Sequence, residues 1–276
     1  MTNTTPTYWS ANGESLQTYA KNIETLGGRL KPPPFRGDDI TIPYAPGQRW
    51  VPKTADSQVI SLAMWVRGYN DDNSQPADVN QKFMDNWRAL RSLLWNPEKQ
   101  FALQKRFYVN GVLRSATALA QYESGLEPTM IGRGGAKFVV DLKLADPYFY
   151  DDELKTFPLV NGNQTINVLG DVKTRNINIT INGSRTNTKI IATLDPVNVQ
   201  VEYRDVLLSG DVAHLDVMNY SASTDPAATP AFDSTGKVWH TGAPHWLALA
   251  PGDTVVNVSS SSGAGTIQLQ ARGAWI

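Results

Sequence analysis

Imidazoles, carboxylates and a glycine-rich turn are the groups in this chain that could do chemistry, and their spacing decides which chemistry is open to them. The histidines are His214, His240 and His245. His240 and His245 do not have a zinc spacing and no third ligand stands beside them, so they read as residues at a sheet edge. Cysteine is absent, which removes thiol catalysis, disulfides and thiolate metal sites. No Gly-x-Ser-x-Gly elbow occurs, so nothing marks a serine nucleophile. Gly132-Arg133-Gly134-Gly135 is glycine-rich, but a strand pattern follows it and no Gly-Lys-Ser/Thr is present. It reads as a turn and not as a phosphate cradle. Asp151-Asp152-Glu153 is a dense carboxylate run. Two catalytic acids must converge across a cleft, and a contiguous run reads instead as solvated charge. No catalytic residue, metal site or cofactor is expected.

The remaining chemistry is recognition. Trp239 and Trp246 flank a loop in the second half, where indole faces could stack on sugar rings or lie in a core or subunit interface. Arg36-Gly37-Asp38 spells an adhesion tripeptide, but three residues recur by chance, and Gly37 with Asp38 or Asp39 reads as a turn. The formal net charge is −1, without the basic excess of a protein that grips phosphates. No apolar run reaches the roughly 18 residues of a membrane span, so no membrane insertion is expected. Met1 to Ser10 is polar and lacks a basic patch leading into an apolar run, so no signal peptide is expected.

What must position these residues is mostly strand. The one clear helix is 78–95, where Val79, Phe83, Trp87, Leu90 and Leu94 fall on one face. Asp78 or Ser74 can cap its start, and Pro97 stops it. Elsewhere the period is two. Ile60, Leu62, Met64 and Val66 face one way, as do Phe138, Val140, Leu142 and Leu144. In the second half the same alternation runs through Ile177, Ile179 and Ile181, through Val197, Val199, Val201 and Tyr203, and through Ile267, Leu269 and Ala271. These are half-buried antiparallel strands. Asn110-Gly111 is a two-residue hairpin signal, and Asn182-Gly183 is a second turn signal.

The expected fold class is therefore mainly β with one principal helix. The second half, all short strands and turns, reads as a β-sandwich or jelly roll. A composition shift at Asp146-Pro147-Tyr148-Phe149-Tyr150-Asp151-Asp152 places a boundary between 1–150 and 151–276. Two segments read as long excursions: 26–52, rich in Pro and Gly, and 221–236, rich in Ser, Thr, Ala and Pro.

An ordered series of motifs carries a resemblance. Leu26-Gly27-Gly28 leads to Pro33-Pro34-Phe35-Arg36-Gly37-Asp38-Asp39, then Ile42-Pro43 and Pro46-Gly47. Leu62-Ala63-Met64-Trp65-Val66-Arg67-Gly68 follows, then Asn86-Trp87-x-x-Leu90, Arg114-Ser115-Ala116 and Phe138-Val139-Val140-Asp141-Leu142. Asp146-Pro147-Tyr148-Phe149-Tyr150 ends the series. The first 150 residues resemble the N-terminal domain of distal tail proteins of long-tailed bacteriophages. Near the other end, Leu249-Ala250-Pro251-Gly252-Asp253-Thr254, a strand, a Ser/Gly-rich turn and a last strand into Trp275 resemble the close of that family's galectin-like sandwich.

The resemblance implies a structural virion protein of the tail tip and not an enzyme, assembled in the host cytoplasm. It implies a homo-hexameric ring whose N-terminal domain forms a belt, with the sandwich outside. The major tail tube protein would sit on one face and a hub or fibre protein on the other, and DNA would pass through without specific binding. A closed ring needs two different faces on each subunit. The helix face (Phe83, Trp87) and the 26–52 arm (Arg36, Asp38) are the expected subunit contacts. The alternative function is carbohydrate adhesion through the second domain, with Trp239 and Trp246 as stacking platforms.

Overall fold

The computed structural model describes residues 9–24, 32–41, 48–49, 53–96, 98–194, 198–241, 246–263 and 265–276. Most of the 26–52 arm, Pro97, Val197 and His245 lie outside the described residues. The chain divides into two compact units, 1–149 with Ile276, and 150–275.

The first unit is one antiparallel sheet with a helix. Its principal strands are β1 (Trp9–Ala11), β2 (Lys21–Ile23) and β3 (Gln58–Arg67), then, after the helix α1 (Val79–Leu94), β4 (Phe101–Val109), β5 (Val112–Gly125) and β6 (Gly135–Leu144). They lie in the order β1-β4-β5-β6-β3-β2, with the short strand Glu14–Ser15 beside β1. Period-two patterning sets the inner face: Ile60, Leu62, Met64 and Val66 of β3 and Phe138, Val140, Leu142 and Leu144 of β6 are all buried. A one-residue slip would turn each of these toward water, so the β3–β6 register is strongly fixed.

The helix forms where its apolar stripe predicts. Asp78 is the cap, its Oδ1 accepting from the backbone N–H of Asn80 (2.9 Å) and Gln81 (3.0 Å). Ser74 has another role, donating its hydroxyl to Asp72 and accepting from Asn70 Nδ2. Phe83, Leu90 and Leu94 are buried. Asn86, on the same helix, donates from Nδ2 to the carbonyls of Arg67 and Tyr69, 2.8 Å each, tying the helix to the end of β3. Close approach there requires a bare backbone at Gly68, where an added Cβ would stand 2.0 Å from the Val79 carbonyl oxygen.

The second unit is a two-layer sandwich. One sheet has the order β7-β17-β9-β12-β13-β14 and the other β8-β16-β10-β11-β15. In chain order these are β7 (Lys155–Leu159), β8 (Gly162–Val168), β9 (Ile177–Asn182), β10 (Arg185–Ala192), β11 (Val199–Leu207), β12 (Val212–Asp216), β13 (Ser221–Asp225), β14 (Phe232–Asp233), β15 (Val238–His240), β16 (Gly252–Ser259) and β17 (Ile267–Ala271). One core draws on both sheets, with Ile177, Ile179, Ile181, Leu215 and Leu269 from the first and Ile190, Val201, Tyr203 and Val256 from the second.

The second turn signal marks a real turn, and two other local expectations are corrected. Asn182-Gly183 does not close a hairpin, because β9 and β10 belong to different sheets. It is a corner between layers, and a Cβ on Gly183 would meet the Leu208 carbonyl oxygen at 1.7 Å. Segment 221–236 is not a long excursion, since it holds β13, β14 and the start of a 3-10 turn, Thr235–Lys237. Its small residues are there to pack: Ala222, Thr224 and Ser234 are buried, and the Tyr203 hydroxyl meets Thr224 Oγ1 at 2.6 Å. The carboxylate run is not uniformly solvated. Asp151 is 3% exposed, and its N–H donates to the Gly273 carbonyl at 2.9 Å.

Candidate functional site

The β4–β5 hairpin turns at Asn110 (φ 50°) and Gly111 (φ 78°), both left-handed, and pairs Val109 with Val112. A turn with two positive φ values matches the right-handed twist of the strands it joins. Within the sheet, β4 is flanked by β1 only at 103–105, and β5 by β6 only from Ala120 onward. Residues 106–109 therefore have no strand partner besides β5 among the described residues. The tip closes on this two-residue turn. It carries Tyr108 (57% exposed), Val112 (53%) and Leu113 (44%). Exposed large apolar side chains at the tip mark a surface that gains from being covered.

The sheet's outer face is also partly apolar. Val59, Leu119 and Val139 stand exposed there, with Ala63 directly across from Val139. Polar ties flank them: Asp141 accepts from Ser61 Oγ (2.5 Å) and Ser124 Oγ (2.7 Å). At one end the Arg67 guanidinium lies 4.1 Å from the Trp65 ring centroid, and Lys137 pairs with Glu24. A cavity of about 250 Å³ opens beside them, lined also by Tyr69 and Ile131.

The sequence-predicted residues are scattered across these surfaces. Arg36 and Asp38 are both exposed on either side of Gly37 (φ 115°), next to the small ladder of Phe35–Arg36 with Thr54–Ala55. Phe83 is buried, and Trp87 is half-buried with its ring edge-on to Phe138. Both serve the unit's own core. Trp239 is 37% exposed on β15, and the Arg204 guanidinium covers its ring at 4.3 Å. Trp246 is 5% exposed and meets Tyr220 edge-on at 5.8 Å, so its face is inside the sandwich. The two indoles do not present a shared platform.

Charge in the second unit is placed for structure. Arg185 is 5% exposed and donates from Nη1 to Asn161 Oδ1 and Ser260 Oγ, 2.9 Å each, and from Nε to the Gly265 carbonyl. Burial pushes its pKa down, while these three neutral acceptors tie together separate turns. Burial would raise the Asp205 carboxyl, but the hydrogen bond and charge of Lys237 outweigh it and hold the group below the ordinary carboxylate value. Lys237 is raised by the same bond. His214 lies on the outer face of β12, its Nδ1 3.4 Å from Thr180 Oγ1, and His240 is on the edge strand of the other sheet. Among the described residues no group of three or more His, Asp or Glu is placed to hold a metal ion.

Two surfaces escape the sequence patterns. The hairpin tip was legible as a turn, but which of its side chains stay exposed depends on strand pairing and was not. A polar groove on the outer face of β9, β12, β13, β14 and β17 draws its residues from five strands.

These units define an architecture: a single sheet with one helix, followed by a two-layer β-sandwich. That architecture is shared with the Dit (gp 19.1) protein of phage SPP1, whose crystal structure is described as a paradigm of the hub adsorption apparatus in phages infecting Gram-positive hosts. The TM-score is 0.63 and the identity 13%, over 98% of this chain and 99% of that one. More distant are two chains of the phage P2 baseplate in its activated conformation. The calcium form gives a TM-score of 0.43 at 7% identity, the strontium form 0.37 at 8%, each covering 93% of this chain and 92% of that one. No family model matches the sequence, and no curated protein matches it.

Proposed function

We propose that this chain is a structural virion protein that forms a hexameric ring at the distal end of a long, non-contractile phage tail. In this reading the first unit makes the belt and the second hangs outside. The ring joins the major tail tube protein to a hub or fibre protein, and DNA passes through its channel without specific binding. The protein acts by assembly and not by catalysis, at the virion tail tip, after assembly in the host cytoplasm.

The exposed apolar tip of the β4–β5 hairpin is the observation that carries the reading. Its Tyr108, Val112 and Leu113 are exposed in the single chain, and the partly apolar outer sheet face offers a second, different surface. One such pair per subunit is what a head-to-tail ring needs. Shared architecture along nearly the whole length of a tail hub protein supports the same conclusion. Arg36, Asp38 and the exposed side of α1 are placed at this interface as part of the proposal.

Native mass spectrometry and negative-stain imaging of the purified full chain test it. The expected result is a particle of six chain masses, each 30.3 kDa, with a central hole. A strictly monomeric species at high concentration overturns it.

A further inference from the structure

We propose that the outer face of the β7-β17-β9-β12-β13-β14 sheet binds a short, uncharged oligosaccharide. The site is separate from the ring interface and from either tryptophan.

The face is not a flat solvated sheet. It carries a shallow, open groove of about 540 Å³, which would leave one side of a bound chain in water. Strand register sets two polar rows across it. Gln270, Asn178, Asp216 and Ser221 stand side by side on β17, β9, β12 and β13. Thr180, His214, Ser223 and Asp233 form the next row. Neighbouring strands put these groups about 4.8 Å apart, so amides, hydroxyls, imidazole and carboxylates alternate as donors and acceptors over a surface wide enough for several sugar hydroxyls.

Local bonding leaves capacity for a ligand. Asp216 is fixed by Asn219, whose backbone N–H reaches Oδ1 (3.0 Å) and whose Nδ2 reaches Oδ2 (2.7 Å). A carboxylate has about four acceptor positions, so each oxygen can accept again. Asn178, Ser221 and Ser223 make no side-chain hydrogen bond among the described residues, and all three are exposed.

Charge and chemistry select the occupant. No Lys or Arg lines the groove, while Asp216 and Asp233 do, so a phosphate, sulfate or uronate would be repelled. The apolar lining residues Ile179, Leu215 and Ala222 are buried, leaving nothing to hold an apolar helix or peptide. The two carboxylates belong to different rows, on strands separated by β13, about 10 Å apart, too far to share a cation. A chain of neutral hydroxyls fits all of these limits. With no aromatic platform in the lining, affinity rests on hydrogen bonds and falls near the millimolar range.

Ligand-observed NMR and titration calorimetry on the full chain, with maltotriose, chitotriose, galactobiose and a sulfated trisaccharide, test the site. At least one neutral sugar is expected to bind with a Kd of about 1 mM or tighter, ahead of the sulfated one. Ser223→Trp, which fills the groove from an exposed position, and Asn178→Ala are each expected to weaken binding by roughly tenfold or more. Trp239→Ala is expected to leave it unchanged. Should Ser223→Trp fail to fold, Asn178→Ala alone decides. No neutral sugar binding at about 20 mM, preference for the sulfated sugar, binding insensitive to Asn178→Ala, or loss of binding in Trp239→Ala each overturns the proposal. Particle mass, read in parallel, reports on ring formation independently.

Discussion

The indole of Trp87 meets the ring of Phe138 edge-on, with 5.1 Å between centroids and 74° between planes. This contact keys α1 to β6 and fixes how the helix lies on the sheet. Trp87→Ala is expected to destabilise the first unit by about 3 kcal/mol, near the low end for large aromatic truncations because the ring is only half-buried. A double-mutant cycle with Phe138→Leu in urea denaturation should return a coupling of about 0.5–1.5 kcal/mol. Zero coupling would mean that the two rings are merely neighbours.

Cap identity is separable by substitution. Asp78→Ala is expected to cost about 1 kcal/mol, since two N–H groups lose their acceptor. Ser74→Ala, which only loosens a surface loop, should stay within about 0.5 kcal/mol. Equal losses in thermal unfolding would show that the helix start is wrongly assigned.

Assembly can be probed at the hairpin tip. Tyr108→Ser with Leu113→Ser removes exposed apolar surface without touching the core. Sedimentation should show the particle falling to single chains while circular dichroism is unchanged. An intact ring in the double variant would place the subunit contact elsewhere.

The Asp205–Lys237 pair gives the second unit a defined pH response. Asp205 is depressed in the folded state, so its contribution is present above the ordinary carboxylate value of 3.8 and is lost as pH falls through the lower folded value. Lys237 is raised above its ordinary 10.5, so its contribution is full below that value and fades as pH rises through the folded one. Both side chains are about a third exposed, which limits the pair to roughly 0–1 kcal/mol. Asp205→Asn should flatten both limbs of a stability-versus-pH curve by that amount, and unchanged limbs would remove the pair as their source.

Crowding at the sheet corner is testable with one methyl group. Gly183→Ala forces a Cβ toward the Leu208 carbonyl and is expected to cost about 1–3 kcal/mol or more. Gly236→Ala, where nothing lies within 4 Å, should be neutral within about 0.5 kcal/mol. Similar midpoints for the two in thermal melts would contradict the corner geometry.

Much of this architecture was legible in residue order. The stripe from Val79 to Leu94, the alternation in β3, β6 and β9, and the Asn110-Gly111 turn each express a local rule, and local rules survive folding. What was not legible depends on pairing across sequence distance. Asn182-Gly183 reads as a turn, and its backbone preference is the same in either setting; only the sheet each flanking strand joins distinguishes a hairpin from a corner. Segment 221–236 reads as a loop because small polar residues favour loops, yet Thr224 and Ser234 are buried with hydrogen-bond partners. For Trp246 the sequence leaves a sugar platform and a core position both open, and the fold takes the core one. The groove was invisible because Asn178, His214, Ser223 and Gln270 come together only through register.

The passage from β9 to β10 in two residues has one more outcome. It staples the layers of the sandwich at a point where no slack exists, so the chain cannot be lengthened there without prising them apart. Residues 228–231, by contrast, cross between β13 and β14 and are all exposed, where added length is tolerated. A guest peptide or reporter module is therefore best grafted at 228–231, which makes that span the practical handle for displaying cargo on this scaffold.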